Sequence, residues 1–329
     1  MAGPIGNDQP VAAPASALTW YIGLFQASCF SLVYFVAPFY ILSSLVVLLV
    51  TRFSSFNAWL YSSPMLISAI LPPVTMPAIL SRLKPMLTYF DSFEMIHEQE
   101  DWYEMIVEKQ TNYILACQPH GVITYVGILS GPCMPQDLQG RFPTAVADVV
   151  LKTPILKHVM GIFGLISATK KSLVKVLTTK KGPEGTVVLY VGGMAELFLS
   201  DESEERLYLK NRKGFIKLSL QTGKDIVPVY MFGNTSVLSV MKHGLLSALS
   251  RKLGASLTYI WGKWGLPIPR NDCKLLYVSG KPIGIPHIAN PTQQDIDKYH
   301  ALYCEQVEHL FEKYKEKVPE YKHKKLHIM

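Results

Sequence analysis

The feature that most constrains this chain is an apolar N-terminal segment almost without charge. Between Gln9 and Ser81 the only charged residue is Arg52. Residues 1–81 carry one Asp and one Arg, which cancel, so the whole net charge of +7 lies on residues 82–329. With 49% hydrophobic and 17% charged residues, the chain is apolar for a soluble enzyme. The sequence therefore predicts a neutral, apolar N-terminal part joined to a basic body.

The length of the apolar part predicts how it meets a membrane. One helical crossing needs about 20 apolar residues, and the run at residues 17–50 exceeds one crossing but is short of two. Pro38 interrupts it, so we expect a kinked hairpin with limbs at residues 18–37 and 39–50. Residues 57–81 carry four prolines, which disfavour a straight spanning helix, and we expect them to lie along the membrane interface.

This segment does not have the features of a cleaved secretory signal. Its first ten residues include no Lys or Arg, and the apolar stretch is too long. We therefore assign residues 1–84 to a retained membrane anchor and residues 85–329 to a second domain. Arg82 and Lys84 lead into the basic body, so the positive-inside tendency predicts a cytosolic body. The five cysteines show neither metal-site spacing nor a disulfide framework, which predicts a reducing compartment and no metal.

Strand-like and helix-like segments alternate along the body. This alternation predicts an α/β domain with a mostly parallel sheet. Pro228 cannot donate a backbone hydrogen bond, so its strand is expected at an edge of the sheet. The tail after residue 320 is basic and is expected to be frayed. The predicted strands are residues 113–117, 186–191 and 226–232; the predicted helices are residues 151–163, 172–178, 215–222 (closed by Gly223) and a last one after a capping box at residues 292–295.

Two of the predicted strands end in residues that can carry chemistry. His120 follows the first strand within "QPHG", and Glu196 follows the second within "GGMAE". In parallel sheets, ligands gather outside the carboxyl ends of the strands, so these side chains are expected at one edge. A neutral imidazole oriented by a carboxylate can take a proton from a hydroxyl. Backbone amides near Gly192 and Gly193 can approach a substrate oxygen closely.

Each of these residues also has a structural explanation. A single histidine at a turn is usually structural, and Gly-Gly after a strand is often only a turn, here without the spacing of a dinucleotide site. Glu196 could simply favour a helix N-terminus. Cys117 is a possible nucleophile, although a buried, inert thiol is the commoner case. The residues alone leave these alternatives open.

Two cations, Arg212 and Lys213, directly precede the helix predicted to begin at Phe215. Positive charge is unfavourable there unless an anion binds, and helix N-termini are ready phosphate sites. The alternative is an ion pair with the acidic run at residues 201–205, which is equally compatible with the sequence.

Several separate motifs, in order, resemble the type-2 diacylglycerol acyltransferases and their monoacylglycerol and wax-alcohol relatives. The resemblance runs from about Tyr89 to Lys315, and the apolar hairpin is similar to the family's arrangement. It departs at Gln118, where the family's commoner residue is His, and at Asp91, where the family has Pro. The H-x-x-x-x-D spacing of glycerol-phosphate acyltransferases is absent, since Tyr125 stands at its last position. The motifs are "PHG" (119–121), "VGGMAE" (191–196), "NRKGFIKLSL" (211–220), "VPVYMFG" (227–233), "GKPIGIP" (280–286) and "NPTQQDIDKYH" (290–300).

The resemblance implies transfer of a fatty acyl group from acyl-CoA to diacylglycerol at the endoplasmic reticulum, with triacylglycerol as product. His120 is then the base and Glu196 its acidic partner. From the residues themselves, amides near Gly121, Gly192 or Gly193 are the candidates for holding the oxyanion, and Arg212 and Lys213 are the candidates for binding the CoA phosphates.

No cofactor beyond the co-substrate acyl-CoA, no metal, no acyl-enzyme and no nucleic acid are expected. The lipid bilayer is the expected partner; a homo-oligomer and association with lipid droplets are left open. The alternatives are a monoacylglycerol or long-chain-alcohol acceptor, or an inactive membrane lipid carrier or scaffold. Retention of both His120 and Glu196 argues against an inactive protein.

Overall fold

The computed structural model describes residues 16–197, 199, 204–241 and 259–329. A central sheet is covered by helices on both faces, and two apolar helices form the N-terminal end of the described chain. The helices are α1 (Ala17–Val50), α2 (Phe56–Ile70), α3 (Pro77–Arg82), α4 (Tyr125–Cys133), α5 (Asp148–Lys152), α6 (Leu156–Gly161), α7 (Lys170–Thr179), α8 (Met194–Leu197), α9 (Gly214–Thr222) and α10 (Gln293–Tyr314). The strands are β1 (Ser92–His97), β2 (Tyr113–Gln118), β3 (Thr144–Val146), β4 (Leu165–Ser167), β5 (Val187–Tyr190), β6 (Glu205–Leu207), β7 (Asp225–Phe232), β8 (Ser239–Val240), β9 (Ile260–Trp261), β10 (Lys274–Ser279) and β11 (Leu326–Ile328).

The main sheet has seven strands in the order β1-β10-β7-β2-β5-β3-β4. Every neighbouring pair is parallel except β10 and β7, so the predicted mostly parallel α/β fold is confirmed. One face packs against α1 and α4, and the other packs against α7, α9 and α10. Because β7, β2 and β5 run in the same direction at the centre, their carboxyl ends meet at one edge.

The three predicted strands are confirmed as β2, β5 and β7, but the edge position predicted from Pro228 is wrong. β7 lies between β10 and β2. The carbonyl of Pro228 accepts a hydrogen bond from Gly280 (2.8 Å), just beyond the last registered β10 pair, Ser279 with Val229. Proline has no N–H to donate to β10, but at Pro228 the registered pairing between β7 and β10 has already ended. The proline therefore costs no hydrogen bond within that pairing, and an interior strand tolerates it.

The predicted helices are confirmed in three of four cases. α7 and α9 contain the predicted segments, Gly223 closes α9 in the left-handed conformation (φ 63°), and α10 begins with the predicted capping box at Thr292 and Asp295. The helix predicted at residues 151–163 is instead two short helices, α5 and α6. Pro154 lies between them, and proline disfavours a helical conformation in the residue before it.

The predicted hairpin with limbs at residues 18–37 and 39–50 is wrong, because both predicted limbs belong to one continuous helix. α1 continues through Pro38 to Val50, and the chain reverses at residues 51–55. α2, which contains Pro64, forms the second limb where an interfacial segment was expected. The Tyr40 hydroxyl donates to the Tyr61 carbonyl (2.6 Å) and joins the two limbs. Within the described part of the chain, α1 is the one helix long and apolar enough to cross a membrane.

The first half of α1 packs against the body. The ring of Trp20 contacts Tyr89 (5.5 Å between centroids), and the Tyr125 hydroxyl donates to the Ala27 carbonyl (2.8 Å). Ala27 and Phe30 are buried in the same cluster as α4. Anchor and body thus share a core, and a boundary at residue 84 stays a prediction.

The C-terminal tail is ordered, contrary to the expectation that it is frayed. β11 pairs in parallel with β6. Tyr321 is fully buried, and its hydroxyl accepts a hydrogen bond from the Gly233 amide (3.0 Å). Lys324 is also buried and lies 3.7 Å from the Glu205 carboxylate. These long-range contacts order the tail despite its basic composition.

Candidate active site

The candidate site lies at the carboxyl edge of the parallel strands β2, β5 and β7. Gln118 pairs with Tyr230 on β7, and Cys117 pairs with Tyr190 on β5, so the three strands end at similar heights. The segments that follow them carry His120, Glu196 (in α8) and Asn234. This arrangement brings the predicted His120 and Glu196 together, as expected for parallel neighbours.

A tight turn directs the His120 ring. The Gln118–Pro119 peptide bond is cis, and Gly121 has φ +62°, a conformation that L side chains rarely adopt. Nδ1 of His120 lies 2.8 Å from the carbonyl oxygen of Gly121. A carbonyl can only accept, so Nδ1 carries the proton and Nε2 keeps its lone pair. Within the described part of the chain, Nε2 has no hydrogen-bond partner and is available as a proton acceptor.

Burial keeps the His120 imidazole neutral. Desolvation lowers the pKa of His120 below its ordinary value of 6.5, and the hydrogen bond to Gly121 opposes part of that decrease. The ring packs edge-on against Tyr190, with 5.3 Å between centroids. A neutral imidazole at pH 7 with a free Nε2 is in the state that a general base requires.

Glu196 holds the backbone of the turn and not the imidazole. Its Oε2 accepts from the His120 amide (2.8 Å), and its Oε1 accepts from the Tyr208 amide (3.3 Å). The sequence predicted a carboxylate orienting the ring directly, and in the structure the Gly121 carbonyl has that position. Burial raises the pKa of Glu196 to about 7, while the two amide hydrogen bonds favour the ionised form.

Gly192, which follows β5, makes room for this carboxylate. A Cβ on Gly192 would overlap the Glu196 carboxyl group, whereas one on Gly193 would meet nothing within 4 Å. The amides of Gly121, Gly192 and Gly193 donate no hydrogen bond to any residue that the structure describes. These three amides therefore stay candidates for binding an oxyanion.

Gln118 and Cys117 do not share the position of His120. The side chain of Gln118 is fully buried on the α10 side of the sheet, where its Oε1 accepts from the Tyr303 hydroxyl (2.6 Å). Cys117 is buried, and desolvation raises the pKa of its thiol, which keeps it protonated. A protonated thiol is a poor nucleophile.

Asn234, which the sequence analysis missed, clamps the same turn from β7. Its Nδ2 donates to the carbonyls of His120 (2.7 Å) and Pro119 (3.0 Å), and its Oδ1 accepts from the Val126 amide at the start of α4 (3.2 Å). A Cβ on Gly121 would lie 2.8 Å from the Asn234 carbonyl oxygen. The available signal was a polar residue two positions after the third predicted strand.

Replacing Asn234 with Ala is expected to impair both stability and turnover. The buried carbonyls and the amide that it satisfies lose their partner, which costs about 1–3 kcal/mol of unfolding free energy. Displacement of His120 is expected to lower kcat by about tenfold, the effect of about 1.4 kcal/mol on the activation barrier. Asn112→Ala is the matched control, since Asn112 is also buried and donates to the carbonyls of Leu177 and Lys180. If both variants lose stability and keep full kcat, Asn234 does not position His120.

The two predicted phosphate-binding cations have partners in the structure. Lys213 forms an ion pair with Asp297 (2.7 Å), and the Arg212 guanidinium lies 5.1 Å from the Tyr208 ring centroid. Residues 201–203 of the acidic run lie outside the described residues, so that alternative is not decided. The backbone amide of Tyr208 donates to Glu196. Because Arg212 contacts the ring of this same tyrosine, Arg212 lies beside the site, on the side of α9 and α10.

An apolar cavity of about 130 Å³ extends from the site between the sheet and α4. It reaches Tyr190, the ring that contacts His120. Gly127 and Gly131 of α4 border the cavity. Because glycine has no side chain, this helix does not fill the space between itself and the sheet. The side chains on the sheet side are those of Met95, His97, Leu115, Cys117, Val188, Tyr190, Val227 and Tyr277.

Known proteins resemble the part of this chain that contains the candidate site. The family model described as Diacylglycerol acyltransferase matches residues 81–329. The Diacylglycerol O-acyltransferase 2-like protein 6 of Homo sapiens is 32% identical over 62% of this chain and 66% of its own length. The Diacylglycerol O-acyltransferase 2 of Dictyostelium discoideum is 31% identical over 63% of this chain and 67% of its own length.

A 2-acylglycerol O-acyltransferase 3 of Homo sapiens is 29% identical over 62% of this chain and 65% of that protein. The alignments thus span about two thirds of these relatives, and only 57% of the Diacylglycerol O-acyltransferase 2 of Homo sapiens. The crystal structure of a 1-acyl-sn-glycerophosphate acyltransferase from Thermotoga maritima superposes with a TM-score of 0.44 at 12% identity, covering 89% of this chain and 97% of that one.

Proposed function

The chain belongs to the diacylglycerol acyltransferase family, and on that premise we propose that it transfers a fatty acyl group from acyl-CoA to the free hydroxyl of diacylglycerol. The product is triacylglycerol. The observation that carries this proposal is the neutral His120, whose Nδ1 is tied to the Gly121 carbonyl and whose Nε2 is free. Such a group serves proton abstraction from a hydroxyl.

The proposed reaction is a direct transfer with His120 as general base. Nε2 takes the proton of the acceptor hydroxyl while that oxygen attacks the thioester carbonyl carbon. The tetrahedral intermediate then collapses, the carbon–sulfur bond breaks, and the imidazolium returns its proton to the leaving thiolate of CoA. The Gly121 carbonyl stabilises the imidazolium through Nδ1, and the Glu196 carboxylate holds the turn that carries the ring.

Other parts of the site have roles in this scheme. The amides of Gly121, Gly192 and Gly193 bind the developing oxyanion. The apolar cavity beside Tyr190 takes the acyl chain, since its lining side chains are mostly apolar and can pack against hydrocarbon. No cofactor or metal enters the scheme.

Arg212 is proposed to bind a phosphate of CoA, with Lys213 beside it. Arg212→Ala is expected to raise the apparent KM for acyl-CoA by the equivalent of about 1.5–3 kcal/mol, the range for one hydrogen bond to a charged group. Kinetics at saturating acceptor measure it. Lys210→Ala is the control, because Lys210 is exposed in the same loop. An Arg212→Ala protein with normal KM and normal folding assigns Arg212 to packing against Tyr208 instead.

Asp297→Ala frees Lys213 from its ion pair and is expected to leave KM for acyl-CoA unchanged or lower.

The proposed location is the endoplasmic-reticulum membrane, with the body in the cytosol. The exposed apolar side chains of α1 and α2, among them Phe25, Phe39 and Ile70, support contact with lipid. Diacylglycerol and triacylglycerol both dissolve in the bilayer, so an enzyme held there has access to its acceptor and can release its product.

The deciding experiment incubates the purified protein with labelled acyl-CoA and a panel of diacylglycerol, monoacylglycerol and long-chain alcohol. Triacylglycerol formation that is lost in His120→Ala supports the proposal. Turnover of monoacylglycerol alone moves the protein to the acceptor class named by its 2-acylglycerol relative. Binding of lipid without transfer to any acceptor identifies a carrier.

A further inference from the structure

The cavity has a polar group at the end away from His120. His97 ends β1, and its Nδ1 lies 2.7 Å from the Ser279 hydroxyl on β10. The imidazole packs against Trp102 (5.0 Å between centroids) and Tyr277 (6.0 Å). Both His97 and Ser279 line the cavity.

This pair has an unused hydrogen-bonding group, unlike several other polar side chains of the lining. Within the described part of the chain, Nε2 of His97 has no partner. By contrast, Ser130 donates to the Gly127 carbonyl, Thr144 donates to the Phe142 carbonyl, and Gln139 is hydrogen-bonded through both ends of its amide. Burial lowers the pKa of His97 to about 4, so the ring is neutral at pH 7.

The sheet register gives the distance between the two ends of the cavity. His97, Ser279, Val229, Cys117 and Tyr190 are successive partners in one row across five adjacent strands. Four strand spacings amount to roughly 19 Å between His97 and Tyr190, measured at the backbone. Tyr190 contacts His120, so His97 lies about one long acyl chain away from the reacting carbonyl.

A plain hydrocarbon covering His97 leaves a desolvated nitrogen without a partner, which costs free energy. A hydroxyl on the chain removes this cost. In either tautomer the neutral imidazole–hydroxyl pair offers a donor or an acceptor, and a hydroxyl can match both.

We propose that His97 and Ser279 form a hydrogen-bonding site for an oxygen substituent near the far end of the acyl chain, so that the cavity takes ω-oxygenated acyl groups. The site selects among acyl donors. This inference rests on the proposed function only in taking the donor to be an acyl thioester. It is a specificity site and takes no part in proton transfer.

The test compares ω-hydroxypalmitoyl-CoA with palmitoyl-CoA as donors for the full-length protein. His97→Phe keeps a ring against Trp102 and Tyr277 and removes the hydrogen bond, so it is expected to lower the ratio of the two kcat/KM values by roughly three- to tenfold. Ser279→Ala is expected to lower the ratio in the same direction. Ser130→Ala, which also lines the cavity, is the matched control and is expected to leave the ratio unchanged.

A binding measurement separates this inference from the proposed function. Palmitate and ω-hydroxypalmitate compete for the protein with a fluorescent fatty acid, and their relative affinity is expected to change in His97→Phe as the kinetic ratio does. If the protein turns over neither donor but the affinity ratio shifts, the function is wrong and the site is real. If both ratios are equal in wild type, His97→Phe and Ser279→Ala, the site is refuted. Should His97→Phe fail to fold, Ser279→Ala decides alone.

Discussion

Replacing His120 with Ala is expected to lower kcat by about 10²–10⁴-fold, the usual contribution of a general base. Among the residues that the structure describes, the side chain makes one hydrogen bond, to the carbonyl of its own neighbour Gly121, and one ring contact, to Tyr190. Its loss therefore removes the proton acceptor and costs little packing. The measurement is kcat at saturating acyl-CoA and acceptor, with thermal unfolding of the same preparation as the check on folding.

Gln118 supplies the matched control for His120 in the same four-residue motif. Its side chain lies on the other face of the sheet, bonded to Tyr303. Gln118→Ala leaves the buried Tyr303 hydroxyl with only the longer hydrogen bond to the Ala116 carbonyl (3.4 Å), so stability is expected to fall by about 1–3 kcal/mol while kcat of the folded protein stays near normal. Gln118→His, which restores the commoner residue of the family, is expected to be tolerated. A near-normal kcat in His120→Ala, or a larger loss in Gln118→Ala, overturns the assignment of the base.

Glu196→Ala is expected to have the second-largest effect, because the carboxylate satisfies the backbone amides of His120 and Tyr208. Two partly buried N–H groups without partners cost about 1–3 kcal/mol of unfolding free energy in total. Release of the turn also displaces the imidazole, and a shift on the order of 1 Å can lower kcat by about 10²-fold. Glu196→Gln retains one acceptor oxygen and is expected to fall between wild type and Glu196→Ala in both respects.

The pH dependence of stability reports on the same carboxyl group. The pKa of Glu196 is raised from 4.5 to about 7 by burial, so between these pH values the folded protein keeps a proton that the unfolded chain has lost. This group therefore makes the free energy of unfolding decrease as the pH rises from about 4.5 to about 7. His120 acts oppositely just below pH 6.5, since its pKa is lowered. The difference between wild type and Glu196→Gln isolates the Glu196 part, measured as the unfolding midpoint against pH.

Activity against pH distinguishes positioning from a merely structural role for Glu196. The wild-type kcat/KM is expected to rise with pH through a limb near pH 7, as Glu196 ionises and accepts both amides. In Glu196→Gln that limb is expected to move below pH 6.5, to the titration of His120 itself. Glu184→Gln, at a surface ion pair with Arg141, is the control and is expected to leave the profile unchanged. An unmoved limb in Glu196→Gln refutes the positioning role.

The local part of the site was predictable because short-range pattern determines it. The apolar run of β2, the helix-disfavouring Pro119 and the turn-forming Gly121 place His120 at a strand end without any distant contact. The parallel alternation then predicted that Glu196 meets it at the same edge. The contact between them was not predictable, since the sequence does not say which atoms of two neighbouring loops face each other. Asn234 was missed for the same reason, although it follows a predicted strand.

The sequence by itself determined the apolar N-terminal part, the mostly parallel α/β fold and the position of His120, because each follows from hydrophobic pattern and backbone preference over a few residues. Only the tertiary structure decided how these parts meet. The interior position of β7 despite Pro228, the ordered tail on β6 and the pairing of His97 with Ser279 join residues distant along the chain. Such contacts depend on strand order and register, where a one-residue shift moves every side chain to the other face. Local pattern carries no such information, and the chemistry of the site depends on it.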